Sequence, residues 1–587
     1  MSSSRAPLHA CANLVRLVVA TAFLFCFGSA CHALAPLTGI SKIAAGSSHT
    51  CVLTTTGGVK CWGSNSSGQS GQNPTVFFEV DTATDVPGLA SGVIAIAAGD
   101  RHTCALTSTG GVKCWGLNQN GQLGDNGAPG IRFTPADVPG LTSGVTAISA
   151  GLLTTCAVAA GGAAKCWGAN GVGQLGDNST TERLVPTDVF GLSAGVSAIS
   201  TYNGHSCALI SGGIKCWGQN NSGQLGNDPS VDSLVPVQVV TASMGGALGG
   251  MTSVSVMFAS TCGRTAAGGA MCWGDNSANQ LGNNVAVFKR YPVSVLSGPS
   301  LPALAGVDLL ASNRNNSCVV MSNSGAKCWG QNTSGQLGVG DNNSFPIRST
   351  PVDVVSGPAL TPLTGVTATA VGETHACALM SDTGVKCWGA NFSGLLGNNA
   401  VGSYQFTPVD VLVPSLALAA VQSRKTHGIV GDFDVLIDKA ALIGGLVSVE
   451  PRVIGAGHLF VFQFDGPVNT FASVAATDAA GAPVGSASAT TFGNDVRVLL
   501  TGVIDNSRVK IALTGVNGNV DVSAAMGFLV GDVNNTRSVN SSDISAVKAR
   551  SGQTTTALNF QFDVNASGAI NSSDISAVKA RSGLTLP

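Results

Sequence analysis

A cysteine pair followed by tryptophan recurs seven times along this chain, and this repeat constrains the fold more than any other feature. Each copy reads Cys, nine residues (eight in the fourth copy), then Cys-Trp-Gly. All seven tryptophans belong to these copies, and so do fourteen of the seventeen cysteines. A period of roughly fifty to sixty residues indicates one supersecondary unit repeated in an array, in which neighbouring units bury each other's apolar faces.

The two cysteines of each copy are predicted to form a disulfide across a β-hairpin. They would lie opposite each other on adjacent antiparallel strands, about 4.5 Å apart at Cα, which a disulfide accepts. Seven pairs of buried free thiols are the alternative, and a zinc site fits less well because a short-spaced second pair is missing. The predicted bonds are Cys51–Cys61, Cys104–Cys114, Cys156–Cys166, Cys207–Cys216, Cys262–Cys272, Cys318–Cys328 and Cys377–Cys387.

Residues 1–33 have the layout of a secretory signal peptide. Arg5 and Arg16 precede the apolar residues 17–27, and small residues follow up to Ala33. A membrane anchor is one alternative, although the apolar run is short for a bilayer, and a lipoprotein signal at Cys31 is another. Cleavage after Ala33 would leave an even number of cysteines, which suits an oxidising compartment. We therefore expect a secreted, cell-surface or periplasmic protein without a membrane span in its mature chain.

The amino-acid composition indicates which kind of molecule this protein can bind. The formal net charge is −2 and only 10% of residues are charged, so no basic surface for nucleic acid is predicted. The 77 glycines and the scarcity of glutamate favour β-structure rich in turns. We expect a monomer whose partner is another protein.

Within each copy, short β-rich runs alternate with Gly, Asn and Ser turns, which predicts a four-stranded unit. The second copy carries the pattern Ala98-Gly99, His102, Cys104-Ala105-Leu106, Gly111-Val112, Cys114-Trp115-Gly116, Asn118 and Gly121-Gln122-Leu123-Gly124. This pattern resembles the repeat of the regulator-of-chromosome-condensation family. The resemblance covers residues 36–420 and implies a seven-bladed β-propeller within a mainly β protein.

The repeated residues have structural interpretations. The tryptophans are predicted to pack between blades. The histidines that precede the first cysteine by two residues are predicted to make polar turn contacts rather than to bind metal, because three copies carry Thr154, Ser260 or Asn316 there. A strand follows each repeat and none precedes the first, so residues 406–413 are predicted to complete the blade that begins at Ile40–Ala45, thereby closing the ring.

The loops after the Gly-Gln-Leu-Gly segments differ between copies. In a propeller such loops gather on one face, and aromatic and arginine side chains are the usual anchors of interfaces. Ordinary solvated loops are the alternative interpretation. The candidate partner-binding residues are Phe77, Phe78, Arg132, Arg183, Lys289, Arg290 and Arg348.

Two further domains are predicted after the repeats. Residues 425–528 contain alternating or apolar runs between Gly, Asp and Asn turns, which favours a β-sandwich. Residues 530–587 hold two similar loops, each followed by Ile-Ser-Ala-Val-Lys-Ala-Arg-Ser-Gly. Oxygen donors at positions 1, 3, 5, 9 and 12 of each loop, with a backbone carbonyl at 7, are what Ca²⁺ requires from an EF-hand-type loop.

This C-terminal segment looks like a type I dockerin, a pair of α-helices with two calcium loops. The ligands that the resemblance implies are Asp532, Asn534, Thr536, Ser538, Asn540 and Asp543 in the first loop, and Asp563, Asn565, Ser567, Ala569, Asn571 and Asp574 in the second. In dockerins, positions 10 and 11 help to choose the cohesin partner, and here these are Ser541, Ser542, Ser572 and Ser573.

Two departures from the loop pattern predict weak binding. Each loop has only two carboxylates, and Arg537 stands at the sixth position, where the sharp turn prefers glycine. Gly568 fits that position, so the second site is expected to bind better than the first. We expect dissociation constants on the order of 10⁻⁴–10⁻³ M. A helical hairpin in which these Asp and Asn residues only cap helices is the alternative.

The expected function is a secreted, non-catalytic scaffold. The propeller would present an interaction face, and the dockerin-like module would dock it, with calcium, to a cohesin-like or cell-surface protein. The alternative is an accessory or enzyme of extracellular polysaccharide breakdown, although no pair of carboxylates stands out as acid and base. Guanine-nucleotide exchange, implied only by the family's name, is the third.

Overall fold

The computed structural model describes residues 33–585 except 128, 342–345, 403, 416–417, 428–430, 438–447, 451–456, 465–467, 469–470, 506, 517–519, 531, 535 and 557. The predicted signal peptide lies outside the described residues, apart from Ala33. One compact unit spans Ala35–Val413, and a second begins at Pro414. The boundary therefore lies before the predicted position of 420–425, which falls inside the strand Leu418–His427.

The first unit contains seven four-stranded antiparallel sheets, one per repeat, and a two-stranded sheet of Val355–Ser356 and Thr361–Pro362. Blades 1 to 4 are built from Ile40–Ala45, His49–Thr54, Val59–Ser64, Glu79–Asp85; Val93–Ala98, His102–Thr107, Val112–Leu117, Ile131–Asp137; Val145–Ala150, Thr154–Ala159, Ala164–Gly168, Arg183–Asp188; and Val196–Thr201, His205–Ile210, Gly213–Gly218, Ser233–Gln238. Blades 5 to 7 are built from Met251–Val256, Ser260–Thr265, Ala270–Gly274, Lys289–Ser294; Val307–Asn313, Asn316–Met321, Ala326–Gln331, Ile347–Asp353; and Val366–Val371, His375–Met380, Val385–Ala390, Tyr404–Asp410.

Strand order within a blade follows the chain, so each blade is a meander of hairpins. In blade 2, Cys104 lies directly opposite Cys114 in the register of the second and third strands. The third strand then pairs with the fourth, with a register shift between Cys114 and Gly116 where Trp115 lies. The same register recurs in the other blades because the spacing of the cysteines is nearly constant.

The hydrophobic core lies between consecutive blades. Between blades 2 and 3, for example, Val112, Leu123 and Val145 pack with Trp167 of the following blade, and all are buried. Such burial stabilises the fold by about 1.5–3 kcal/mol for each large side chain. A blade without its neighbour would therefore expose part of this core.

The ring closes differently from the sequence prediction. Residues 406–413 do not complete blade 1, because Tyr404–Asp410 pairs with Val385–Ala390 of its own blade. Blade 1 has its own fourth strand, Glu79–Asp85, which pairs with Val59–Ser64. At the closure, Ala33–Pro36 pairs instead with Leu412–Ser415 in a two-stranded sheet, and Leu37 N donates to Val411 O at 2.8 Å. Strands that are consecutive in a chain usually pair with each other, which agrees with the pairing of each fourth strand with the third strand of its own blade.

The second unit contains the predicted β-sandwich and the helical module. One sheet has five strands in the order Gly431–Ile437, Leu418–His427, His458–Phe464, Asp495–Thr501, Ser486–Phe492, and the other has four in the order Ser448–Glu450, Val520–Phe528, Ser507–Val516, Ser473–Thr477. A core that includes Phe460, Phe462 and Phe528 lies among them.

Two eight-residue helices follow, α1 (Ser541–Lys548) and α2 (Ser572–Lys579). Val547 and Val578 of these helices are fully buried with Leu529 in a separate small core. None of the helices in the described part of the chain has the length and apolar character needed to cross a membrane.

Candidate interaction face and calcium loops

The tryptophans join each blade to the one before it. All seven are fully buried, and each indole Nε1 donates to a backbone carbonyl of the preceding blade at 2.9–3.1 Å. The acceptors are Leu395, Gln69, Gln122, Gln174, Gln224, Gln280 and Gln336, in the order of Trp62, Trp115, Trp167, Trp217, Trp273, Trp329 and Trp388. Each indole therefore fills the core and also satisfies a buried carbonyl.

The four repeated histidines reach the next blade rather than a local turn. His49 Nε2 lies 2.7 Å from Thr103 Oγ1, and Thr103 in turn donates to the carbonyl of Gln69. Since the threonine proton is used in that bond, Nε2 must be the protonated nitrogen of His49. The other pairs are His102–Thr155, His205–Thr261 and His375–Thr50. The prediction of a turn contact was therefore wrong.

A pattern in the sequence could have revealed these pairs. Every histidine is matched by a threonine in the next repeat, one position after the equivalent of the histidine. Where the histidine is replaced by Thr154, Ser260 or Asn316, the facing residue is Ser206, Ser317 or Ala376 instead. This correlation appears only when the residues of neighbouring repeats are compared, and a single repeat does not show it.

Burial strongly affects these histidines. Desolvation lowers the pKa of His49 and His205 to about 3 and that of His102 and His375 to about 4. For His49, the neighbouring His102 and His375 lower the pKa further. All four imidazoles are therefore neutral at physiological pH. Those of His49, His102 and His205 act as hydrogen-bond donors, because the facing threonines donate to backbone carbonyls, and His375 links blades 7 and 1 through its hydrogen bond with Thr50.

The structure bonds each cysteine of a repeat to its partner in the same blade. The Cα–Cα distance is 4.0–4.1 Å in all seven disulfides, and every one of these cysteines is buried. The bonds lie in the blade interior, so each blade carries its own crosslink and none joins two blades.

The candidate arginines of the variable loops are held by ion pairs. Arg183 Nε donates to Asp177 Oδ2 at 2.7 Å, and hydrogen bonds from Ser179 and Arg183 lower the pKa of Asp177 against the opposing effect of burial. Arg132 pairs with Asp125 and Arg348 with Asp341 in the same way, while Arg290 reaches Asp228 of the previous blade at 2.8 Å. These arginines therefore stabilise the conformation of the loops. The remaining basic candidate, Lys289, is only partly exposed.

Phe77 and Phe78 differ from the arginines of this group because they are exposed and are not held by ion pairs. Their rings keep 52% and 67% of their accessible surface, and the preceding Val76 keeps 66%. The backbone of this loop is nevertheless held firmly, since Asn65 Nδ2 donates to the carbonyl of Phe77 at 2.6 Å. Among the candidate residues of the propeller loops, these two phenylalanines remain available to a partner.

The first calcium loop brings its oxygen donors together. Asp532 Oδ1 accepts from Thr536 N at 2.9 Å, and Thr536 Oγ1 lies 3.2 Å from the carbonyl of Ser538. Asn534 lies beside this group and bonds Ser542. Burial raises the pKa of Asp532, and the nearby Asp543 carboxylate adds to that effect.

The second loop repeats this arrangement. Asp563 accepts from Ser567 N at 2.9 Å and from Gly568 N at 2.7 Å, and Ser567 Oγ donates to the carbonyl of Ala569. Asp574 accepts from Asn565 N at 3.1 Å. Burial raises the pKa of Asp574, and the nearby negative charge of Asp563 raises this pKa further.

The helix-cap interpretation of these loops also holds in part. Asn540 and Asn571 are the N-caps of α1 and α2, and Asp543 and Asp574 complete a capping box in each. Asp543 Oδ1 is nevertheless buried without a hydrogen-bond partner among the described residues. An orphaned carboxylate oxygen beside a second buried carboxylate is what a hard cation would satisfy, so the donor set fits calcium.

The serines predicted to choose a partner lie at the starts of the two helices. Ser541, Ser542, Ser572 and Ser573 are all exposed. Ser542 and Ser573 also accept from Asn534 and Asn565 of the loops, at 2.8 and 2.5 Å. A partner that contacts these serines would therefore sense the conformation of the loops.

The fold and its repeats define a disulfide-crosslinked seven-bladed propeller protein with a C-terminal pair of EF-hand-like loops. The RCC1-like domain profile matches residues 29–359, and the type I dockerin profile matches residues 530–581. Because the first match covers more than half of the chain, the protein belongs to the RCC1-like domain family. It also carries a type I dockerin domain.

Several known proteins are similar to part of this chain. The chain is 32% identical over 173 residues to the probable E3 ubiquitin-protein ligase HERC4 of Homo sapiens. It is 33% identical over 176 residues to the ultraviolet-B receptor UVR8 of Arabidopsis thaliana. Each alignment covers 29% of this chain. It spans only 16% and 39% of those two proteins. Human WBSCR16 shares the fold, with a TM-score of 0.52 at 21% identity over 62% of this chain and 96% of that one. Prp20p of Saccharomyces cerevisiae also has a TM-score of 0.52, at 20% identity over 61% and 87%.

Proposed function

We propose that this protein is a secreted, non-catalytic scaffold that is anchored by calcium-dependent docking of its dockerin domain and binds a second protein through its propeller. The observation that carries the proposal is the duplicated loop–helix unit, whose oxygen donors converge in both copies. Type I dockerin domains generally bind calcium, and the partner proposed here is a cohesin-like module. The N-terminal sequence and the disulfides support export to an oxidising compartment.

The geometry of the loops explains why docking would require the ion. Asp532 and Asp543 lie close enough for one charge to disfavour the other, and Asp563 and Asp574 do the same. Calcium would neutralise each pair when bound. Loops without it would keep this repulsion, which favours loosening of the exposed helix starts that carry the candidate serines.

Docking can be tested with the full chain on a panel of immobilised cohesin modules, by surface plasmon resonance in calcium and in EDTA. We expect binding in calcium that is lost in EDTA, and lost again in the variant D532A/D563A. Ser542→Asp with Ser573→Asp should abolish binding while calcium uptake persists. Binding that survives EDTA and both variants would contradict the proposal, as would the absence of binding to every module.

The sixth position of the first loop provides a matched comparison. Arg537 has φ +63° and Gly568 has φ +94° at the equivalent position, a region that favours glycine. Relief of roughly 1 kcal/mol of backbone strain in Arg537→Gly should raise calcium affinity at the first loop about fivefold. Isothermal titration of this variant would measure it, with Gly568→Arg as the converse control, and equal affinities across all three proteins would contradict the expectation.

One observation favours the alternative role in polysaccharide breakdown. Phe392 and Tyr404 form an edge-to-face pair with centroids 5.2 Å apart, and both rings are exposed at 49% and 40%. Exposed aromatic rings can stack on sugars. A glycan array with wild type and Tyr404→Ser, combined with a hydrolysis assay, separates the two roles: binding lost in the variant, or hydrolysis, would favour the alternative.

A further inference from the structure

The exposed loop of blade 1 presents three consecutive apolar side chains on a fixed backbone. Val76 N and Phe77 N both donate to the carbonyl of Asn73, at 3.1 and 2.9 Å. Asn65 N donates to the carbonyl of Phe78 at 2.9 Å. A loop already ordered in this way would lose little entropy when it binds, which is the condition for apolar side chains to act as anchors.

A small cleft lies directly beside this loop. It has a volume of about 140 Å³, and its lining includes Phe77, Glu79, Asp81 and Thr84. Glu79 and Asp81 are two residues apart on one strand, so their side chains point to the same face of the sheet. The cleft therefore combines one aromatic wall with two carboxylates.

Neither carboxylate is used within the described part of the protein. Glu79 and Asp81 form none of its ion pairs, whereas Asp85, at the end of the same strand, pairs with Lys60 at 2.8 Å. The two acids are only partly exposed. Two adjacent negative charges without a counter-ion create a local potential that attracts a cation.

Comparison among the repeats shows that this arrangement belongs to blade 1. The equivalent pairs of residues are Ile131 and Phe133, Glu182 and Leu184, Asp232 and Leu234, Phe288 and Arg290, Ile347 and Ser349, and Tyr404 and Phe406. The two acids in that set both have internal partners: Glu182 accepts from Asn120 Nδ2, and Asp232 accepts from Asn220 N. Blade 1 alone has two acids at these positions, and both are unused among the described residues.

We propose that this surface, formed by Val76, Phe77, Phe78, Glu79 and Asp81, binds a segment of a partner protein in which one Arg or Lys is flanked by large apolar residues. The proposal rests on the proposed role of the propeller as an interaction platform. The cation would lie against the Phe77 ring and pair with the two carboxylates. The flanking apolar residues would cover Val76 and Phe78.

The charges decide between this partner and others. Nucleic acid and acidic peptides would be repelled by the two carboxylates. A neutral sugar would make no use of them, and a metal ion would find too few ligands. A segment with a basic residue between apolar ones would contact both the carboxylates and the exposed apolar side chains.

The test uses the full chain and an array of nine-residue peptides whose central residue is Arg, Lys, Gln or Glu and whose flanking residues are Leu or Ser. We expect wild type to bind Leu-flanked Arg or Lys peptides at least tenfold more tightly than Gln peptides, with a preference that weakens at high salt. E79Q/D81N should lose this tenfold preference with an unchanged melting temperature. Phe77→Ser should weaken binding of all Leu-flanked peptides, while Phe288→Ser, an exposed phenylalanine of blade 5, should change nothing.

Equal binding of Arg and Gln peptides by wild type, or full binding by E79Q/D81N, would overturn the assignment of this surface. If calcium-dependent docking to a cohesin module persists in that case, the scaffold function stands and only this surface is wrong. If docking is absent too, both proposals fail.

Discussion

The propeller is expected to lose stability steeply when the pH falls below 6.5. His49, His102, His205 and His375 have folded pKa values of about 3 to 4, whereas an exposed histidine has 6.5. Between those values the unfolded chain binds more protons than the folded one, so stability falls with decreasing pH until the folded pKa is reached. At pH 5 the loss is roughly 2 kcal/mol per histidine and about 8 kcal/mol for four.

Tryptophan fluorescence can follow this loss in the propeller alone, because all seven tryptophans lie in the blades. We expect the midpoint of thermal unfolding to fall by about 10 °C between pH 7 and pH 5. Acidic groups such as Asp177, whose pKa is lowered from an already low value, act only below this window. A midpoint that does not change between these two pH values would contradict the prediction.

Substitution tests the assignment to the histidines. His102→Asn places at this position the residue that blade 6 carries as Asn316. It should lower stability at pH 7 by about 1 kcal/mol, through the lost hydrogen bond, and should remove about a quarter of the pH dependence. Replacement of all four histidines should nearly abolish that dependence. If the fourfold variant keeps the full dependence, another group is responsible.

Trp62→Ala should destabilise the propeller by roughly 3–5 kcal/mol, although Trp62 connects residues 333 positions apart. Its indole is fully buried and donates to Leu395 O of blade 7 at 3.0 Å. No peptide segment joins these two blades directly, so only such contacts close the ring. The expected decrease in the unfolding midpoint is about 4–6 °C, measured by circular dichroism.

Trp273→Ala is the matched control, because Trp273 donates to Gln224 O, also at 3.0 Å, between two blades that are consecutive in the chain. Both variants should be destabilised to a similar degree. Hydrogen exchange should differ, however: protection should be lost mainly in blades 1 and 7 with Trp62→Ala and in blades 4 and 5 with Trp273→Ala. A loss below about 1 kcal/mol for Trp62→Ala would mean that the ring is open.

The repeat made most of the fold predictable. Cysteines nearly constant in spacing, each followed by tryptophan, imply a hairpin in a fixed register, and glycine-rich turns mark the ends of its strands. The duplicated loops likewise indicated their candidate donors, because the ligands of an EF-hand-type loop lie at fixed positions within one short segment of the chain. These are local features, and local geometry follows from spacing along the chain.

The remaining features depend on residues brought together from separate repeats. The assignment of residues 406–413 to blade 1 was wrong, and only the pairing of Tyr404–Asp410 with Val385–Ala390 places this strand in blade 7. The arginines of the loops were predicted to be partner-binding residues, but the structure pairs them with aspartates of the protein itself. Whether a charged side chain is paired depends on how its loop is bent, which composition does not specify.

The sequence by itself determined how many blades there are, which cysteines face each other and which loop residues are candidate calcium donors, because each of these depends on short-range spacing in the chain. Only the tertiary structure decided how the ring closes, that the histidines bond threonines of the next blade, and that Glu79 and Asp81 lack a counter-charge among the described residues. Those features arise where distant segments pack, and packing is set by the three-dimensional complementarity of whole blades.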